Sequence, residues 1–131
     1  MLIPHLHFNG NCAEAISLYE KAFNTKAETV IYNRQYNASC DDDGIAHAAM
    51  KLHGQTIYLN DRFGNKSFST DIAVHLIVIF KTTDKLLACY EILKLDSITI
   101  DPMKELAYSP LAVQFIDRYG VQWGFMVEVA E

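Results

Sequence analysis

The second half of this chain repeats the order of its first half, and a repeat of that length leaves few folds open. Ile3 to Asn9 is short and rich in β-compatible residues, and Asn9-Gly10-Asn11 supplies a turn and a helix N-cap. From Ala13 to Phe23 the apolar residues Ala15, Ile16, Leu18, Tyr19, Ala22 and Phe23 recur at helical spacing, so this segment should cover one face of a sheet. Three β-like stretches follow, near 27–36, 45–53 and 55–61, with a hairpin at His53-Gly54-Gln55 and an exposed turn at Cys40-Asp41-Asp42-Asp43-Gly44. Then Ile72 to Phe80 reads as a strand, Thr83 or Asp84 caps a helix through Leu95, and Ser97–Ile100, Ala112–Ile116 and Val121–Val129 read as strands. The pattern is βαβββ twice. Leu18-Tyr19-Glu20 matches Cys89-Tyr90-Glu91 at a separation of 71, which sets Pro4 opposite His75. Gly54 matches Gly120 at 66, which sets Tyr58 opposite Gly124 and Ile57 opposite Trp123.

At 131 residues the chain predicts a single domain, 1–131, built of two modules at about 1–65 and 70–131. Half of the residues are apolar and 21% are charged, which fits a globular protein and supports a core without staples. A net charge of −5, with no basic run, argues against nucleic acid, whose affinity comes mainly from cations on phosphates. No apolar run approaches a membrane span, and the first residues lack the charged and apolar regions of a signal peptide. Cys12, Cys40 and Cys89 have no CxxC spacing and read as reduced thiols, so a cytoplasmic protein is expected. Cys12 precedes a helix, where a lowered thiol pKa is possible, but ordinary packing at the helix start is the expected role.

Three phrases carry a family resemblance: "IPHLHFNGNCAEAISLYEKAF", "IAHAAMKLHGQTIYLND" and "FIDRYGVQWGFMV". Together they resemble the PhnB-like branch of the vicinal oxygen chelate superfamily, relatives of glyoxalase I and bleomycin-resistance proteins. The most specific elements are F-N-G-N-C-x-E-A-I-x-x-Y and the late D-x-x-G-V-x-W. The resemblance implies an α+β fold of two βαβββ modules whose curled mixed sheets surround a cleft, and it implies homodimers. In metal-dependent relatives, His and Glu from the first and last strands of both modules hold one divalent ion. Carried onto this sequence, those places are Pro4, Tyr58, His75 and Gly124. Proline and glycine offer no side-chain donor and a neutral phenol is a weak one, so the ligand set is incomplete and no cofactor is expected. Any divalent metal would fall back on His75 and His47. The family is also sometimes labelled a demethylubiquinone methyltransferase. No glycine-rich loop or doubly wound pattern marks an adenosylmethionine site here.

His75, in Ala73-Val74-His75-Leu76-Ile77, falls by alternation on the cleft face with Ala73 and Ile77. Its imidazole suits a general base or a hydrogen-bond donor, or it is satisfied structurally. His47 shares a face with Ala49, Lys51 and His53, and Ala49 stands where many relatives carry an acidic partner. By the alignment Pro4, Leu6 and Phe8 face the cleft, so His5 and His7 should face the helix layer. Tyr19, Tyr90, Trp123 and Phe125 read as core.

The expected ligand-binding cleft is Phe8, His47, Tyr58, His75, Ile77, Gln122 and Met126, apolar with convergent polar groups, as small-molecule pockets usually are. The first function expected is binding of a small molecule without an intact metal site. The alternative is an enzyme of the glyoxalase or dioxygenase type, using a rearranged metal site or a cleft histidine, His47 or His75, as base. A third is a dimeric interaction module. A fold shared by many chemistries selects none of them.

Overall fold

A computed structural model describes residues 1–37, 39, 43–62 and 74–129. Cys40 to Asp42 of the expected turn, and Ile72 and Ala73 of the expected strand, lie outside the described residues. The chain divides into two compact units, Met1–Ser69 and Thr70–Glu131.

The first unit runs β1 (His5–Phe8), α1 (Cys12–Ala22), β2 (Thr29–Tyr32), α2 (Asn33–Tyr36), β3 (Ile45–Leu52) and β4 (Gln55–Asp61). The second runs β5 (Leu76–Phe80), α3 (Thr83–Leu93), β6 (Ile98–Leu106), β7 (Ser109–Ile116) and β8 (Gln122–Val127). The sheets have orders β1-β4-β3-β2 and β5-β8-β7-β6. In each, the first and last strands of the unit pair in parallel and the other neighbours are antiparallel. The repeated βαβββ order and the α+β class are therefore as the sequence implies. One element is new: the stretch read as strand over 27–36 is a four-residue strand followed by the single turn α2.

Strand alternation sorts each sheet into a helix-covered face and a helix-free face. In the first unit Phe8, Ala48, Met50, Ile57 and Leu59 are buried, as are Cys12, Ala15, Ile16 and Tyr19 of α1, and the Phe8 and Tyr19 rings lie 6.4 Å apart. In the second, Phe80, Phe115, Trp123 and Phe125 form an aromatic core with Leu86, Cys89 and Leu93 of α3. Phe125 stands edge-on to Phe80 at 5.0 Å and to Phe115 at 5.1 Å. Each such ring contributes about 1.5–3 kcal/mol by leaving water. The hairpin between β3 and β4 turns on His53 (φ 51°) and Gly54 (φ 78°), the two left-handed residues that a tight two-residue hairpin requires.

Both helix starts differ from expectation. Asn11 precedes α1 but makes no side-chain cap bond; the Asp61 carboxylate, from the end of β4, accepts the Gly10 and Cys12 N–H groups at 2.8 and 3.0 Å. α3 is capped by Thr82, whose hydroxyl accepts from the Lys85 N–H at 3.2 Å, and it ends at Leu93.

Candidate functional site

Parallel pairing sets His5 beside Tyr58 and His7 beside Asn60, while antiparallel pairing sets Ala49 across from Tyr58. Residues paired in this way share a face, and so does His47, two places before Ala49. The histidines of β1 therefore point away from the helix, which corrects the expected parity. Phe8, expected in the cleft, is 2% exposed beneath Tyr19. The reason is physical. A strand reading His-Leu-His-Phe must bury one pair of side chains, and burying Leu6 and Phe8 is favourable where burying two imidazoles costs hydrogen bonds.

The helix-free face of the first unit is thus a strip of rings. The His47 and Tyr58 rings are 4.7 Å apart, His5 and Tyr58 6.1 Å, and His5 and His7 4.3 Å. His7 Nδ1 lies 2.6 Å from Asn60 Oδ1. Burial lowers the His5 pKa below the ordinary value of 6.5, and the neighbouring His7 and then His47 lower it further. A histidine so depressed binds protons less readily in the folded than in the unfolded chain. Its effect on stability is nil well above pH 6.5 and turns unfavourable as pH falls through 6.5 toward the folded pKa. His53, expected on this face, instead occupies the hairpin turn with its ring 6.0 Å from Phe23, the residue after α1.

In the second unit the helix-free face carries His75, Ile77, Gln122, Gly124 and Met126, with Gln114 opposite Gly124. His75 Nδ1 is 3.3 Å from Gln122 Nε2. Ile77 and Gly124 help line a small pocket with Gln114 and Met126. Asp101 and Lys104, not singled out in the sequence, also line it and pair with each other at 3.0 Å.

The superfamily's metal places do not suit a metal here. Gly124 pairs with Ile77 and Tyr58 with His5, so the Pro4–His75 equivalence is shifted from the strand register. A Cβ built on Gly124 would lie 2.7 Å from Ile77 Cδ1, so a side chain there would first have to displace the isoleucine's end. Among the described residues no group of three or more His, Cys, Asp or Glu side chains could hold a metal ion.

Two acidic residues inside the motif phrases are structural. Asp61 is 3% exposed and also accepts the Ile45 N–H at 2.8 Å through its second oxygen. Asp117 accepts the Tyr119 and Val121 N–H groups at 2.9 and 3.0 Å and the Trp123 indole N–H at 2.9 Å. Gly120, at φ 93°, closes the same loop. Cys12 is fully buried and its thiol is pushed up to about 12, by burial first and by Asp61 second, which fits the expected packing role at the helix start and not a lowered pKa. Burial likewise pushes Cys89 up to about 12. Both are packing residues with no thiolate chemistry near neutral pH.

The family model described as 3-demethylubiquinone-9 3-methyltransferase matches residues 1–126. A PhnB protein from Bacillus cereus, carrying the same methyltransferase description, is 23% identical, with 96% of this chain and 98% of that chain covered and a TM-score of 0.83. A protein from Pseudomonas aeruginosa is 21% identical over 98% and 97% of the two chains, with a TM-score of 0.88. A glyoxylase/bleomycin resistance protein/dioxygenase domain from a Frankia species is 17% identical over 98% and 91%, with a TM-score of 0.72. At these identities the solved structures share the fold. No curated protein matches the sequence.

Proposed function

The chain belongs to the family described as 3-demethylubiquinone-9 3-methyltransferase, the PhnB-like branch of the vicinal oxygen chelate superfamily, and from that membership we propose that it binds a small organic molecule on its helix-free sheet surfaces without a superfamily-type metal. The observation that carries this reading is the chemistry of those surfaces. His47 and Tyr58 in one unit, and His75, Gln122, Ile77 and Met126 in the other, set hydrogen-bonding groups among apolar and aromatic ones. Such a mixture is the usual make-up of a ligand site. The family's description names methyl transfer to a demethylubiquinone. Adenosine-type cofactors are commonly held by a glycine-rich turn in a doubly wound parallel sheet, and two four-stranded mixed sheets do not fit that group.

Homodimerisation in the cytoplasm is part of the same proposal. Ile79 and Ile98 on the second unit's strands are 46% and 64% exposed, apolar surface that a second copy would cover. A native mass spectrum of the purified protein reports ligand, metal and assembly together. The expected result is a dimer that carries no stoichiometric divalent ion after dialysis. A monomer across micromolar concentrations defeats the dimer; one tightly held metal per chain, lost in His75→Ala, defeats the metal-free reading and restores a rearranged metalloenzyme.

His47 and His75 are expected to act as hydrogen-bonding groups. Losing one bond to a buried ligand costs about 1–3 kcal/mol, roughly 5-fold to 150-fold in affinity. Once a thermal-shift screen supplies a ligand, His47→Ala and His75→Ala should each weaken it within that range while the protein stays folded. Wild-type affinity in both variants would place the site elsewhere in the fold.

A further inference from the structure

The chain carries sixteen Asp and Glu against eleven Lys and Arg, yet among the described residues no strand carboxylate stands on the helix-free face of the first unit's sheet. Asp61, the one acidic residue of β1 to β4, is buried on the other face, where it accepts three backbone N–H groups. Glu28, one place before β2, has the opposite parity from Thr29, which pairs with Ala49. Asp43, before β3, pairs with Arg34 of α2.

The groups that do share this face are basic or neutral. β1 gives His5 and His7, β3 gives His47 and Lys51, β4 gives Thr56, Tyr58 and Asn60, and β2 gives Thr29 and Ile31. Arg62, just past β4, continues the parity of Tyr58 and Asn60. His5 and His7 are exposed, with ring centroids 4.3 Å apart. His47 and His5 stand edge-on to the Tyr58 ring from either side, at 4.7 and 6.1 Å. Burial, then His7 and then His47 hold the His5 pKa below 6.5, so the imidazoles share one field and charge on one opposes charge on the next.

An imidazolium formed here finds no carboxylate of its own sheet to neutralise it. An anion from outside supplies that charge, and by linkage an anion that favours the proton is itself favoured by the proton. Because the rings oppose each other, the face takes up one proton far more readily than two or three. A single added charge matches a carboxylate better than a dianion, and the flat Tyr58 ring between two imidazoles suits a planar group attached to it.

Resting on the reading of this face as a ligand surface, we propose that the first unit's sheet binds an aromatic carboxylate together with one proton from solvent, the carboxylate meeting the imidazoles of His5 and His47 and the ring lying against Tyr58. Lys51 adds a permanent positive charge further along the same face and takes no proton. Affinity for the anion therefore rises as pH falls, while a neutral molecule of the same shape gains nothing.

Calorimetry with benzoate, its neutral isostere benzamide, and sulfate tests this at fixed ionic strength at pH 5.5 and pH 8, a range over which none of the three changes charge. Benzoate should bind about 10-fold more tightly at pH 5.5, with proton uptake seen near pH 6.5 as a heat that depends on the buffer, and benzamide should not respond to pH. The variant carrying both His5→Gln and His47→Gln should lose the pH dependence, whereas His53→Asn, in the hairpin, should keep it. Chemical shifts of Tyr58 report whether a probe sits on this face. Equal benzoate affinity at the two pH values, or a pH dependence that survives in the double variant, overturns the proton coupling. Sulfate binding as tightly as benzoate at pH 5.5 overturns the carboxylate. In each of these cases a probe that perturbs Tyr58 leaves the face a ligand surface. If no probe perturbs Tyr58 while a screened ligand binds elsewhere, the surface reading falls and the proposal with it.

Discussion

Asp61→Ala is expected to lower the stability of the protein by about 3–5 kcal/mol, near the upper end for a single substitution. The carboxylate is 3% exposed and accepts from Gly10, Cys12 and Ile45, so alanine leaves three backbone donors without their acceptor, two of them, on Cys12 and Ile45, buried from water. Each orphaned donor costs about 1–3 kcal/mol, and partial relaxation keeps the total below the sum. The same contacts start α1 and hold it to the end of β4, so loss of the cap adds to the deficit. In a chain of this size the melting temperature should fall by roughly 10–20 °C. Asp61→Asn should lie between, because its amide oxygen can still serve Gly10 and Cys12 while its NH₂ meets the Ile45 N–H. Glu91→Ala, which removes an exposed ion pair with Lys94, should cost no more than about 0.5 kcal/mol. Thermal melts followed by circular dichroism separate the three. A melt for Asp61→Ala within a degree or two of wild type would show that the helix start is held by something else.

The same residue shows which parts of the architecture were legible in the sequence. Order and type of elements followed from periodicity, because β-branched alternation and helical spacing report which side of an element leaves water. The hairpin read at His53-Gly54-Gln55 was legible because Gly54 suits the left-handed backbone a tight turn needs. Facing was less legible. His-Leu-His-Phe in β1 states that two faces differ, and carrying family positions onto it chose the wrong one for the core, whereas burial alone favours Leu6 and Phe8 inward. The roles of Asp61 and Asp117 were missed although a signal existed. Asp61 continues the parity of Ile57 and Leu59, so it had to be buried, and a buried carboxylate requires several donors. The His7–Asn60 pair had no local signal, because 53 residues separate its members and only the parallel register joins them. What the helix-free faces bind is a property of side chains brought together by that register, and a strand pattern alone does not contain it.

Trp123 is the side chain through which the second unit should respond most strongly. It is 1% exposed, its ring lies 6.0 Å from Phe125, and its indole N–H donates to Asp117 Oδ2 at 2.9 Å. Trp123→Ala should cost about 3–5 kcal/mol, since it removes a large buried ring and leaves a cavity beside an aromatic cluster. Trp123→Phe retains most of the packing and removes only the donor, so about 1–2 kcal/mol is expected. Asp117→Ala should cost more than Trp123→Phe, because the Tyr119 and Val121 N–H groups also lose their acceptor and the loop between β7 and β8 loses its brace. The two residues touch, so their effects should not add. With Asp117→Ala already present, removing the indole donor removes a group that has no partner left, and the double variant should be more stable than the sum of the singles by about 1–2 kcal/mol. Chemical denaturation of the four proteins measures that coupling. Strict additivity would show that the bond between Asp117 and Trp123 contributes nothing net, and that the late D-x-x-G-V-x-W phrase holds its loop through the backbone alone.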